Sequence, residues 1–156
     1  MAHLAPGARG ALAVIVQRRA GRRQPAVARE AIKVATRIGK AFDYVGVFAV
    51  EMFVVRKGRE RYVLVNEIAP RVHNSGHWTI DGASVSQFEQ HIRAVAGWPL
   101  GPTAPHARVE MLNLLGDEVD GWPKLAHEPD TRIHLYGKRQ AKPGRKMGHV
   151  NRVKAL

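Results

Sequence analysis

Two hydrophobic periods share this 156-residue chain. Residues 1–10 (MAHLAPGARG) follow neither of them and read as a frayed lead-in. Ala11–Gln17 (ALAVIVQ) is a short apolar run rich in β-branched residues, which predicts a buried strand. Arg18–Gln24 then reads as a basic turn around Gly21. From Pro25 the apolar positions Ala28, Ala31, Ile32, Ala35, Ile38 and Ala41/Phe42 recur at three and four residues. That spacing predicts a helix, opened by Pro25 and carrying Lys40 in its last turn.

Tyr44–Val55 (YVGVFAVEMFVV) is the most hydrophobic window, and its β-branched and aromatic residues favour a strand. A polar turn with Gly58 and a second run, Arg61–Ile68 (RYVLVNEI), complete a predicted β-hairpin. Arg71–Thr79 is a loop by composition. Ser84–Ala96 reads as an amphipathic helix capped by Ser84 or Ser86, with Glu89 three residues after the latter, and Gly97 ends it. Trp98-Pro99 opens an extended linker through Pro105. Strands are predicted at residues 108–115 and 132–136, followed by a basic turn and a short strand. The fold class is α+β. A divergent lead-in spans 1–24, an antiparallel sheet with helices spans 25–103, and a small β-rich domain spans 104–156.

Composition changes this picture in one respect. Hydrophobic residues make up 45% of the chain, enough for a core. Lys and Arg number 25 against 13 acids, a net charge of +12 that favours phosphate-bearing partners. Residues 131–156 hold eight of those cations and no acid, and Arg18, Arg19, Arg22 and Arg23 form a second cluster. The absence of cysteine excludes disulfides and thiolate zinc sites. No apolar run reaches the roughly 20 residues that span a bilayer, and no secretory signal is evident, so a cytoplasmic protein without a membrane partner is expected.

The candidate chemistry lies in the hairpin. Glu51 sits within AVEMFVV and Glu67 near the end of the next strand, where paired strands can set them side by side. A buried carboxylate requires a cation, a proton or donors. Mg²⁺ is one answer, being held by one or two carboxylates plus phosphate oxygens. The other is one glutamate in solvent and one paired with an arginine. Asn66 and Arg71 flank Glu67, and a guanidinium can clamp a carboxylate or phosphate bidentately. His73, Asn74, Ser75, His77 and Thr79 add neutral donors and acceptors, a set suited to an oxyanion-rich ligand beside a metal. Lys142–Lys146 forms a basic turn that could cradle phosphate or simply be solvated.

VNEIAPRVHNSGHWTIDGASVSQFEQHIRAVAGWPL, with YVGVFAVEMFVV before it and YGKRQAKPGRKMGHVN after it, resembles the C-terminal portion of the N5-carboxyaminoimidazole ribonucleotide synthetases. These ATP-grasp enzymes are the ATPase subunit of phosphoribosylaminoimidazole carboxylase. The resemblance covers roughly residues 25–153. It implies an ATP-grasp ligase of purine synthesis that uses ATP, Mg²⁺ (or Mn²⁺) and bicarbonate to carboxylate 5-aminoimidazole ribonucleotide. It further implies that Glu51 and Glu67 hold the metal, with Asn66 and Glu67 at the nucleotide. Arg71 would hold bicarbonate or carboxyphosphate. His73, with Asn74 and Ser75, would lie near the reacting amine, and Lys138, Arg145 and Lys146 would grip the ribonucleotide phosphate.

Departures from the family pattern limit that expectation. Of the nucleotide-clasping lobe only a trace is recognised, in ALAVIV, which opens on Ala11 where the family usually has an acid. The basic link RRAGRRQ stands where a strand-rich stretch is expected. A truncated or split form is therefore expected, with a homodimer or the missing N-terminal half as possible protein partner. The alternatives are a basic module binding nucleic acid non-specifically and a non-catalytic remnant; acids set in an apolar hairpin argue against the basic module.

Overall fold

The computed structural model describes the backbone of residues 2–4 and 12–15, and residues 25–156 in full. The basic link of residues 18–24 and its four arginines lie outside the described residues. Residues 2–4, read as part of a frayed lead-in, form a strand. The chain divides into two compact units. The first comprises Met1–His77 and Ser84–Ala104; the second comprises Trp78–Ala83 and Pro105–Leu156.

In the first unit, β1 (Ala2–Leu4), β2 (Leu12–Ile15), β3 (Gly46–Lys57) and β4 (Glu60–Ala69) form one sheet in that order. β1–β2 and β3–β4 are antiparallel, whereas β2 runs parallel to β3. Helix α1 (Pro25–Ala41) lies between β2 and β3 in sequence. Its buried residues, Ala31, Ala35 and Gly39, recur every fourth position and form one stripe of small side chains. Such residues let the helix backbone approach the sheet closely. Phe48 fills the space opposite Ala35, and Ile38, Tyr44, Val50 and Met52 pack around the pair.

Helix α3 (Gln87–Val95) also packs on β3. The Ser86 side chain caps it by accepting from the Glu89 backbone N–H. Gly97, with φ of +68°, ends it in a conformation that a side chain would strain. Between hairpin and helix, the expected loop contains a 3-10 turn at Asn74–Gly76 and a short helix α2 (Thr79–Gly82).

In the second unit, β5 (Ala107–Leu115), β6 (Thr131–Leu135) and β7 (Lys146–Ala155) form an antiparallel sheet ordered β5-β7-β6. β7 is ten residues long and central, not the short terminal strand expected. A second 3-10 turn at Gly116–Gly121 and helix α4 (Trp122–Leu125) connect β5 to β6. Met147 and Val150 on β7 are buried, as are Ala107 and Leu114 on β5. α2 belongs to this unit although the chain reaches it before α3. Among the described residues no helix is long and apolar enough to cross a membrane.

Candidate functional site

The hairpin register sets the candidate acids directly opposite each other. Glu51 pairs with Glu67, yet the next residue, Met52, pairs with Val65. Asn66 is thus the extra residue of a β-bulge, an irregularity that locally re-aims side chains. On one face of an antiparallel pair, opposed Cβ atoms lie about 4.5–5.5 Å apart. One divalent cation can therefore serve both carboxylates.

The burial expected of Glu51 is corrected. Nearly half of its side chain, 49%, is exposed, and Glu67 is exposed as well. The cause is how far along β3 Glu51 falls. Val47 and Ala49, on the same face as Glu51, are buried, but further along that face Phe53 is exposed. The hairpin runs out beyond the part of the sheet that the helices cover. The pair is an open acidic site rather than a desolvated one.

His73 closes one side of it. Its Nε2 lies 3.5 Å from Glu51 Oε1, and its ring is only 13% exposed. The backbone N–H of Ser75 donates to His73 Nδ1 at 3.3 Å, which makes His73 the cap of the 3-10 turn. Nδ1 must then carry a lone pair, and in the neutral ring the proton sits on Nε2, directed at the Glu51 carboxylate. Ser75 Oγ, 2.9 Å from the same Nδ1, adds a second contact on that side.

The loop is held by a residue that the sequence reading did not single out. Gln87, the first residue of α3, is 2% exposed. Its Oε1 accepts from the His73 backbone N–H at 3.0 Å, and its Nε2 donates to the His73 carbonyl at 2.8 Å. Nε2 also lies 2.8 Å from His77 Nδ1. One amide thus grips both ends of the segment His73–His77. Gln90 does the same to Gly101, with bonds of 2.9 and 2.8 Å to its N–H and carbonyl. The signal in the sequence is two glutamines three apart on the buried side of an amphipathic helix, where polar residues persist only if bonded.

The other expected residues fall into two groups. Arg71 is exposed, and its Nη1 donates to the Val72 carbonyl at 3.0 Å. Among the described residues it makes no ion pair with Glu51 or Glu67. Asn74 and Ser75 lie in the 3-10 turn with His73 as its cap. Lys138, Arg145 and Lys146 belong to the second unit. Lys138 Nζ donates to the Lys146 carbonyl at 2.6 Å and lies 5.5 Å from the centre of the Tyr136 ring. Arg145 Nη1 donates to the Gln140 carbonyl at 3.2 Å. The structure therefore assembles Glu51, Glu67 and His73 in one place and Lys138 with Lys146 in another.

The donor set fits a hard divalent cation in a specific way. No group of three metal-ligating side chains is assembled among the described residues. Two carboxylates with their remaining positions left to phosphate and water is the manner in which Mg²⁺ is commonly held. A closed, all-protein site of the zinc type would need more ligands than are assembled among the described residues.

The family assignment follows from comparison with known proteins. Residues 9–88 match the ATP-grasp domain, and the chain belongs to the ATP-grasp family. Residues 110–155 match the phosphoribosylaminoimidazole carboxylase C-terminal domain. The chain is 52% identical over 120 residues to the N5-carboxyaminoimidazole ribonucleotide synthase of Brucella melitensis, covering 77% of this chain and 32% of that protein. It is 47% identical over 131 residues to the same enzyme of Bacillus subtilis, covering 82% and 33%. It also resembles the Aspergillus clavatus N5-carboxyaminoimidazole synthase solved with ADP and 5-aminoimidazole ribonucleotide, at 37% identity and a TM-score of 0.77. That match covers 88% of this chain and 38% of the other. The chain thus spans about a third of the length of the curated relatives it matches.

Proposed function

We propose that this chain supplies the metal–phosphate and ribonucleotide-binding residues for carboxylation of 5-aminoimidazole ribonucleotide. In that reaction bicarbonate attacks the γ-phosphorus of ATP to give carboxyphosphate and ADP. The exocyclic amine then takes up the carboxyl group, and inorganic phosphate leaves. The observation that carries this reading is the register pair Glu51–Glu67 with His73 Nε2 3.5 Å from Glu51, in a chain of the ATP-grasp family.

Under this reading Glu51 and Glu67 would hold Mg²⁺ (or Mn²⁺), with Asn66 beside them at the nucleotide. Bound there, such an ion would supply positive charge against the transferring phosphoryl group. Arg71, whose guanidinium is exposed at the strand end, binds bicarbonate and the carboxyphosphate formed from it. His73, with Nε2–H held toward Glu51, assists at the reacting amine, and Asn74 and Ser75 set the shape of that turn. Lys138, Arg145 and Lys146 bind the ribonucleotide phosphate, which gives a role to three of the eight cations in residues 131–156. The family is expected to hold its nucleotide between two lobes, and this chain spans about a third of the length of its curated relatives. Positioning by two lobes accounts for a large part of such rate enhancements, so ligand binding is the appropriate readout for this chain.

Isothermal titration with Mg·ADP and then with 5-aminoimidazole ribonucleotide tests the assignment. Binding of Mg·ADP that weakens roughly tenfold or more in Glu67→Gln supports it. Indifference to that substitution contradicts it. A cytoplasmic setting and a boundary near residue 103 between an ATP-grasp part and a small β-rich domain belong to the same proposal.

A further inference from the structure

The second unit contains a part-buried polar array of which the proposed function uses only the last member, Lys138. Asp81, on α2, accepts through Oδ2 from His134 Nε2 at 2.7 Å and from Asn151 Nδ2 at 2.6 Å. The His134 ring stacks on that of His149, with centroids 4.5 Å apart and planes 13° from parallel. His149 is 1% exposed and shares a 2.9 Å hydrogen bond between its Nδ1 and the Tyr136 hydroxyl. The face of Tyr136 in turn lies 5.5 Å from the Lys138 ammonium.

Polar groups as deeply placed as His149 and Asn151 are costly unless bonded to partners. The array begins at a half-buried carboxylate, passes the buried His149 and ends at an exposed cation. Three features point the far end. The Tyr136 backbone N–H donates to the Met147 carbonyl at 2.9 Å, which ties its base to β7. Gly137, with φ of +64°, takes a turn that a side chain would strain, and so brings Lys138 back over the ring of Tyr136. The ammonium then spends one of its three donors on the Lys146 carbonyl. Its remaining donors stay available to an anion.

We propose that Tyr136, held through His149 and His134 by Asp81, is a positioning residue that fixes Lys138 for a phosphomonoester. The inference rests on the reading of Lys138 as a phosphate ligand. A lysine on a flexible four-carbon stem loses rotamer freedom when it grips phosphate. Here the ring and the carbonyl have removed that freedom in advance, so less is lost on binding.

Two measurements separate this inference from its parent. The first needs no ligand. In NMR spectra of the full chain the Lys138 ε-methylene protons are expected upfield of free lysine, shifted by the Tyr136 ring current. They should move toward the free value in Tyr136→Phe, which keeps the ring but loses its bond to His149. They should do so also in Gly137→Ala, which disturbs the turn and leaves the buried array alone. An unshifted Lys138 in the natural chain, or no movement in either variant, overturns the proposal.

The second is a double-mutant cycle on binding of 5-aminoimidazole ribonucleotide, with its dephosphorylated riboside as the control. Tyr136→Phe should weaken the ribonucleotide roughly three- to fivefold and leave the riboside unchanged. It should have no further effect once Lys138 is Met. An equal loss in the Lys138→Met background overturns the positioning role. If Lys138→Met alone changes nothing, or the natural chain shows no phosphate-dependent affinity, the phosphate reading of Lys138 fails instead, and the ring-current measurement still decides the positioning.

Discussion

The two units spend their buried polar groups in opposite ways. In the first, polarity is used to hold backbone. Gln87 and Gln90 are buried amides that bond the N–H and carbonyl of His73 and of Gly101, so that loops are fastened to a helix as a strand would be. The apolar core beneath them is simple, a phenylalanine against a stripe of small residues. In the second, polarity runs from side chain to side chain, Asp81 to His134 and His149 to Tyr136, and ends at a cation. A clamp on backbone fixes where a loop lies. An array of side chains fixes where one charged atom points. The first suits a loop that must present several groups at once, and the second suits one contact with a phosphate.

Substitutions can break that contrast, and the largest effect is expected in the apolar core. Phe48→Ala removes a ring that is 2% exposed and leaves a cavity against Ala35, at a cost of about 3–5 kcal/mol. Urea melts will show it, with hydrogen exchange rising in α1 and β3 while β5, β6 and β7 stay protected. Asp81→Ala should do the reverse. It strands the donors of His134 and Asn151 and should cost about 2–4 kcal/mol, with exchange rising in β6 and β7. Loss of protection in α1 instead would mean that the array does not belong to the second unit's stability.

Gln87→Leu is expected to cost about 2–3 kcal/mol, because the N–H and carbonyl of His73 lose their partner. Its more telling consequence is on the His73 ring. Long-range nitrogen–proton spectra should show the Nε2–H tautomer in the natural chain and a mixture in the variant. An unchanged tautomer would leave Gln87 a stability residue only.

The smallest effect concerns Glu128, whose carboxyl is held below its ordinary range by hydrogen bonds from Arg152 and then Thr131. A carboxylate with a lowered folded-state pKa contributes stability that is complete above the unfolded value and is lost as pH falls through the folded one. Stability should therefore decline as the medium is acidified below the usual carboxylate range. Glu128→Gln should flatten that part of the curve slightly and change nothing near neutrality. Because the pair is solvent-exposed, salt should shrink the difference further.

Much of the fold was legible because periodicity and burial agree. The three- and four-residue spacing from Pro25 became α1, and the run YVGVFAVEMFVV with RYVLVNEI became the β3–β4 hairpin. Ser86 with Glu89 marked the start of α3. What did not show was anything set by contacts remote in sequence. The parallel pairing of β2 with β3 depends on α1 crossing between them. The bulge at Asn66 leaves no trace in an alternating pattern that continues on either side of it. α2 sits in the second unit because Asp81 meets residues 53 and 70 positions later, His134 and Asn151. Of the site, the pairing of Glu51 with Glu67 was legible from hairpin geometry, but their exposure was not. Hydropathy does not show where along a strand its cover ends, and the packing of helices on β3 decides that.

Glu51 and Glu67 are proposed to hold a divalent cation. Paramagnetic broadening by Mn·ADP tests it most directly, because the effect falls off steeply with distance from the metal. Backbone signals of Glu51, Met52, Asn66 and Glu67 should vanish first and His73 should follow, and Glu67→Gln should restore them. Broadening centred on Lys138–Lys146 with Glu51 and Glu67 untouched would contradict it.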